Sequence, residues 1–137
     1  MLFNRGGRTF APAVVTPTGL LARGDLEAGD IDGDGDLDLF VGFRGAPNRL
    51  YRNDDGTFLD VAPALGLDDP WETRAAAWGD YDGDGDPDLF VGFRLEDGVA
   101  NRVYRNEGAG VPFTEVGEAL GVNLVGNTRQ TSWLDFD

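Results

Sequence analysis

Two kinds of hydrophobic pattern alternate along the chain, and both are typical of short β-strands. The segment DLFVGFR, at residues 38–44 and again at 88–94, is a run of bulky apolar residues that predicts a strand buried on both faces. The segment NRLYRN at residues 48–53 alternates polar and apolar positions, as a half-buried strand does. DDGT at 54–57 predicts a turn, and RAAAWGDY at 74–81 predicts a strand that leads into an acidic stretch.

The whole pattern is repeated. Residues 29–44 and 79–94 are identical at 14 of 16 positions, and the segments that follow them also align, with two residues added in the second copy. Weaker matches link residues 2–10 with 50–58 and residues 132–137 with 77–82. We therefore predict four parts: the end of a preceding unit (1–20), two whole units (21–70 and 71–125) and the start of another (126–137).

Each unit of about fifty residues carries four predicted strands, which favours the blades of a β-propeller. The predicted fold is all-β, with four-stranded antiparallel sheets that form part of a propeller. The segments VAPALGL (61–67) and VGEALGV (116–122) are long enough for a helical turn only.

An acidic loop precedes each long apolar strand and has aspartate at every second position, which we number 1, 3, 5, 7 and 9. Alternate residues of a tight loop can point inward, and two glycines in each loop permit backbone angles that other residues resist. Calcium takes six to eight oxygen ligands, and a site of carboxylates alone favours Ca²⁺ over Zn²⁺ or Cu²⁺. We expect side-chain ligands at positions 1, 3, 5 and 9, a backbone carbonyl ligand at position 7, and about two Ca²⁺ ions per chain. The predicted metal residues are Asp30, Asp32, Asp34, Asp36, Asp38, Asp80, Asp82, Asp84, Asp86 and Asp88.

Three other interpretations of the acidic loops fit less well. A solvated acidic turn does not explain why spacing, glycines and near-identity coincide. An EF-hand needs a glutamate at position 12, where the two copies have Val41 and Val91 inside apolar strands. Glycosidase chemistry needs a carboxylic acid of raised pKa beside a second carboxylate, and the aspartates here are better placed as a metal cage.

The amino-acid composition excludes several further classes of function. The 137-residue chain has a net charge of −14, and it contains no cysteine, histidine or lysine. Without these residues most nucleophile–base pairs are excluded, so we do not expect an enzyme and assign no catalytic or cofactor-binding residues. No basic patch is present for nucleic acid, and no apolar run approaches the ~18 residues of a membrane span. The N-terminal residues do not resemble a signal peptide.

The loops, DIDGDGDLDLFVGF and DYDGDGDPDLFVGF, resemble the calcium loops of FG-GAP/VCBS-type repeats, the integrin α-subunit kind of β-propeller. Gly45-Ala46-Pro47 falls where the "GAP" of that family would lie, and NRLYRNDDGTFLDVAPALGL is similar to repeats found with ASPIC/UnbV-type domains. The resemblance implies a propeller, usually of about seven blades, with calcium between the first two strands of a blade. Two whole units cannot close such a ring, so we expect a fragment of a longer protein.

The resemblance also implies a role. We expect extracellular adhesion or recognition of a protein or glycan, with structural calcium, in an extracellular, cell-surface or periplasmic setting. One alternative is an accessory domain of a secreted hydrolase or lyase. A further alternative is a partial propeller that self-assembles into a homo-oligomer through its open edges.

Three features outside the two loops allow a prediction each. Asp135 and Asp137 begin a third acidic loop, and two ligands alone would hold calcium weakly. Arg23-Gly24-Asp25 spells a tripeptide that integrins bind, which we interpret as coincidence in a chain rich in these residues. Trp78 and Trp133 occupy the same repeat position and are expected to pack between blades rather than to bind sugar.

Overall fold

The computed structural model describes residues 2–4, 10–12 and 24–134 of the chain, with the backbone alone for the first two stretches. Strands β1 (Leu2–Asn4) and β2 (Phe10–Pro12) pair antiparallel. This pairing agrees with the alignment of residues 2–10 with the turn-forming segment of the next unit. The remainder of the predicted first part lies outside the described residues.

The first whole unit folds into one four-stranded antiparallel sheet, which we call blade one. Its strands are β3 (Leu26–Gly29), β4 (Asp38–Val41), β5 (Arg49–Asp54) and β6 (Thr57–Asp60), and they lie in that order across the sheet. Asp55 and Gly56, with φ of 51° and 88°, form the two-residue turn between β5 and β6. Both angles are positive, as in the type I′ turn that suits the twist of a hairpin. The helical turn α1 (Ala62–Leu65) follows the sheet, as predicted.

The second whole unit repeats this architecture as blade two. Its strands are β7 (Thr73–Gly79), β8 (Asp88–Phe93), β9 (Arg102–Arg105) and β10 (Thr114–Glu115), again in chain order. A short 3₁₀ turn at Leu95–Asp97 lies between β8 and β9. The described chain is therefore all-β with two antiparallel four-stranded sheets, which confirms the predicted fold class. The predicted limits of the units stay predictions.

The two blades share one apolar core. The long apolar strands supply its centre, because Phe40 of β4 and Leu89, Val91 and Phe93 of β8 are fully buried. Trp78 packs edge-on against Phe40, with 6.4 Å between ring centroids, and 6.2 Å from Phe113. The partly buried tryptophan thus packs against both blades, as the sequence predicted.

A glycine at the end of the first strand of each blade makes room for a tryptophan of the next unit. A β-carbon on Gly29 would lie 3.1 Å from the Trp78 ring, and one on Gly79 would lie 2.3 Å from the Trp133 ring. The Trp133 indole nitrogen also donates to the Ala77 carbonyl oxygen at 3.1 Å. The same contact therefore occurs at two successive positions along the repeat.

Threonines repeat a second contact between units. A β-carbon on Gly42 would meet the Thr73 side chain, and one on Gly92 would meet the Thr128 side chain. Thr73 and Thr128 are each hydrogen-bonded to the asparagine that precedes the third strand, Asn48 and Asn101 respectively. Thr128 and Trp133 thus contact blade two in the same way as Thr73 and Trp78 of β7 contact blade one. Among the described residues, no helix has the length and apolar character required to cross a membrane.

Candidate metal centre

The acidic loops connect the first two strands of each blade. Loop one (residues 30–38) joins β3 to β4, and loop two (residues 80–88) joins β7 to β8. Gly29 pairs with Asp38, and Gly79 pairs with Asp88, across the two strands. Positions 1 and 9 of each loop are therefore brought together by the strand register, although seven residues separate them in the sequence.

The position 1 carboxylate organises the turn of each loop. Asp30 accepts hydrogen bonds from the backbone amides of Gly33 at 2.9 Å and Gly35 at 3.0 Å. Asp80 accepts the equivalent bonds from Gly83 at 2.7 Å and Gly85 at 3.0 Å. All four glycines have positive φ, between 72° and 95°, which other residues adopt only with strain. The loop therefore folds around this carboxylate because glycine occupies positions 4 and 6.

The position 9 carboxylate is fully buried and tied to the backbone. Asp38 accepts from the amides of Ile31 and Asn53, each at 2.8 Å. Asp88 accepts from the amides of Tyr81 and Asn106, each at 2.9 Å.

Burial raises the pKa of each position 9 carboxyl group above the ordinary value of an aspartate. The two amide hydrogen bonds act in the opposite direction, and the aspartates at positions 3 and 5 of the same loop raise the pKa further. Several carboxyl groups therefore stand close together at these sites, and a cation would offset the repulsion between their ionised forms.

Positions 1, 3 and 9 converge in both loops. One carboxylate oxygen from each of Asp30, Asp32 and Asp38 lies within 4.8 Å of the others, and Asp80, Asp82 and Asp88 form the same triad. In loop one, Asp32 Oδ1 is buried and has no hydrogen-bond partner. A buried oxygen without a partner is costly unless something binds it, and a set of carboxylate oxygens is the donor set that Ca²⁺ prefers. The residues present therefore fit a calcium ion.

Positions 5 and 7 are engaged differently. Asp34 Oδ1 accepts from the Asp36 amide at 2.8 Å, and Asp84 Oδ1 accepts from the Asp86 amide at 2.9 Å. Neither position 5 residue belongs to its loop's triad. The Asp36 side chain turns towards the β5–β6 turn, where Oδ2 accepts from the Asp55 amide at 2.9 Å. The Asp36 side chain is therefore engaged outside loop one, and the ligand role of its carbonyl stays a prediction.

The sequence comparison agrees with this geometry. The family model of the FG-GAP-like repeat matches residues 30–91, from the first aspartate of loop one into the strand that follows loop two. The chain is an FG-GAP-type repeat protein. Among curated proteins, none matches the chain. The match runs through the whole of blade one after β3 and through the complete second loop, so both triads of this FG-GAP-type chain lie inside it.

Two residues near loop one of the FG-GAP-type chain were not predicted to belong to its site. Asp54, at the end of β5, brings a carboxylate oxygen within 4.8 Å of those of Asp32 and Asp34. Arg52 Nε lies 3.9 Å from Asp32 Oδ2, and its terminal nitrogen donates to Asp54 at 2.9 Å. The sequence did contain a signal for Asp54. It belongs to the acidic pair in NDDG (53–56), directly before the turn glycine, and this places a carboxylate at the end of β5 beside the loop.

The remaining predicted features have less to do with the metal centre. Asp25 Oδ2 accepts from the Ala76 amide of blade two at 2.8 Å, so this carboxylate has a structural role between blades. Gly24 is packed so tightly that a β-carbon there would lie 1.6 Å from the Gly42 carbonyl oxygen. Arg23, Asp135 and Asp137 lie outside the described residues.

Proposed function

We propose that each acidic loop of this FG-GAP-type chain binds one Ca²⁺ ion and that the ions stabilise the blades. The observation that supports the proposal is the convergence of three carboxylates in both loops, with a buried oxygen of Asp32 left without a partner. Asp30, Asp32 and Asp38 would hold the ion in loop one, and Asp80, Asp82 and Asp88 would hold it in loop two. In loop one, Asp34 and Asp54 each bring a carboxylate oxygen within 4.8 Å of one of Asp32 and are candidates for further donors.

The expected contribution of the metal is electrostatic. A bound ion would supply the positive charge that offsets repulsion among five carboxylates in a loop of nine residues. The chain's own residues prepare the site, because the glycines and the amide bonds to positions 1 and 9 fix the loop before the ligands close. Binding energy then adds to folding energy, so calcium is expected to raise the stability of both blades.

The proposed biological setting rests on the affinity that extracellular calcium modules have and on the composition of the chain. Extracellular calcium modules have dissociation constants of about 10⁻⁴–10⁻³ M, which suits an extracellular, cell-surface or periplasmic protein. We assign the segment a binding role, adhesion or recognition of a protein or glycan, and no catalytic step. Support for this assignment is the absence of cysteine, histidine and lysine, which leaves the loop carboxylates as the main chemical groups.

A calorimetric calcium titration of the whole chain tests the proposal. Two ions should bind per chain, one fewer in either Asp32→Asn or Asp82→Asn, and none in the double variant. Position 3 is the best choice, because it belongs to each triad yet accepts none of the amide bonds that hold the loop. The matched control is Glu118→Gln, an exposed carboxylate outside the loops, which should keep both ions.

Two outcomes would contradict the proposal. One is a folded chain that takes up no calcium at millimolar concentration. The other is a double variant that still binds two ions, which would move the sites away from the loops. Circular dichroism in calcium and in chelator should accompany the titration, because it shows that the chain is folded when binding is measured.

A further inference from the structure

The two loops are joined by a buried path of hydrogen bonds between neighbouring blades. Asn106, directly after β9 in blade two, donates from Nδ2 to the Ile31 carbonyl oxygen in loop one at 2.9 Å. Its backbone amide donates to Asp88 of loop two at 2.9 Å. On the other side, the Ile31 amide donates to Asp38 of loop one at 2.8 Å. The position 9 aspartates of the two loops are thus connected through Asn106 and the backbone of Ile31.

Every member of this path is shielded from water. Asp38 and Asp88 are fully buried, Asn106 is 1% exposed and Ile31 is 4% exposed. Hydrogen bonds in such surroundings are stronger than exposed ones, and a buried polar group left unpaired is costly. A shift of Asp88 therefore changes the position of Asn106, and with it the bond that holds the second residue of loop one.

Asn53 offers an internal comparison, because it occupies the same repeat position in blade one. Its amide donates to Asp38, and its Nδ2 donates to the Leu37 carbonyl oxygen at 3.2 Å. Asn106 makes the same local bonds, to Asp88 and to the Pro87 carbonyl oxygen at 3.3 Å. Among the described residues, the bond to Ile31 is the one side-chain donation that Asn106 makes and Asn53 does not, so the local role and the role between blades can be separated.

We infer that Asn106 is a positioning residue shared by both loops and that it makes calcium binding at the two sites cooperative. The inference rests on the proposed calcium function. An ion in loop two fixes Asp88 and therefore Asn106, which in turn restrains Ile31 and Asp38. The second ion then binds to a loop that is already partly ordered, and the ordering cost that it meets is lower.

A binding cycle measures this coupling. The calcium affinity of loop one is determined in the otherwise native chain and in Asp82→Asn, where loop two no longer binds. Coupling of ordinary size predicts that the loss of calcium binding in loop two lowers the calcium affinity of loop one about 5-fold or more. Both affinities of loop one are then measured again on the Asn106→Asp background, and their ratio should be near one. Aspartate keeps the acceptor for the Gly108 amide but removes the donor to the Ile31 carbonyl oxygen.

Asn53→Asp is the matched control. It makes the same chemical change at the same repeat position but removes only the local bond to Leu37. The 5-fold ratio should persist on that background. A ratio near one in the native chain, or a ratio unchanged by Asn106→Asp, would overturn the inference while leaving the calcium sites in place. Failure of the chain to bind calcium at all would instead overturn the proposed function, and the inference with it.

A second measurement needs no change at Asn106 and serves if Asn106→Asp does not fold. In the Asp32→Asn variant only loop two should bind calcium. Hydrogen exchange at the Ile31 amide should then slow when calcium is added, because loop two restrains loop one through Asn106. An exchange rate at Ile31 that does not change while loop two fills would overturn the inference independently.

Discussion

Loop one and loop two have the same aspartates in the same backbone conformation, yet their surroundings differ. The glycines at positions 4 and 6 have φ of 72° and 93° in loop one and 76° and 95° in loop two. Asp30 and Asp32 are partly buried, whereas Asp80 and Asp82 are exposed. The identity of the aspartates and the fold of the loop are therefore set within one unit, while the burial of these aspartates is not.

The neighbouring blade accounts for this difference. Blade two covers the side of loop one that contains Ile31, which is buried among core residues and accepts a hydrogen bond from Asn106. Tyr81, the equivalent residue of loop two, is only partly buried. An acidic loop thus obtains part of its surroundings from the unit that follows it, because that unit removes water from one side of the loop. Three pairs of substitutions test how far this dependence on the neighbour extends.

The largest expected effect comes from the tryptophans. Trp78→Ala should cost about 3–5 kcal/mol of unfolding free energy, because it removes the ring that packs against Phe40 and Phe113. Trp133→Ala should cost markedly less, since that ring is 37% exposed. Urea unfolding in saturating calcium measures both values. Equal losses would show that the two contacts between units are energetically equivalent despite their different burial.

The loop glycines should give equal effects instead. Gly35→Ala and Gly85→Ala should each cost about 1–2 kcal/mol, because both residues have positive φ and alanine is strained there. No atom lies within 4 Å of a β-carbon added at either position, so sterics with neighbours do not contribute. Gly126→Ala is the control: its surroundings are equally open but it has no positive φ, and it should cost little. A clear difference between the loop variants would mean that blade two also supports the backbone of loop one.

The smallest effect concerns pH at the contact between blades. Asp69 is buried and accepts hydrogen bonds from Arg102 and from the Tyr104 hydroxyl, whereas the equivalent Leu124 is exposed. Burial raises the pKa of the Asp69 carboxyl, although both partners act to lower it and the nearby charges of Asp68 and Glu115 raise it further.

A carboxyl pKa that is raised on folding favours the folded state most below the ordinary value, and the contribution is lost as pH rises through the raised pKa. The native chain should therefore be most stable relative to Asp69→Asn near pH ~4, and this advantage should decrease towards pH ~7. Urea unfolding of both chains at a series of pH values, each pair at one calcium concentration, measures the difference. Asp68→Asn, a change at an exposed neighbour, is the control. An advantage of the native chain over Asp69→Asn that grows with pH would show that the ionised carboxylate is favoured by its partners.

Sequence reasoning succeeded where the information is local and repeated. The strand β8, the turn at Asp55-Gly56 and the position of each acidic loop follow from periodicity, turn chemistry and the self-match. It did not find Asp54 beside Asp32, the bond from Asn106 to Ile31, or the pairing of Asp69 with Tyr104. These contacts join residues up to 75 positions apart, and Ile31 and Asp69 occupy positions at which the two copies differ. Comparing one copy with the other gives no information about contacts that only one of them makes.

The tryptophan that rests on a glycine also bears on how such chains lengthen. A unit that is duplicated whole carries both halves of the contact, a tryptophan for the unit before it and a glycine for the unit after it. New units can therefore be added in tandem without redesign of the joint between them. Leu134 stands where Gly29 and Gly79 stand in the earlier units. Leucine carries a side chain where glycine has none, so this position cannot offer a tryptophan ring the same space.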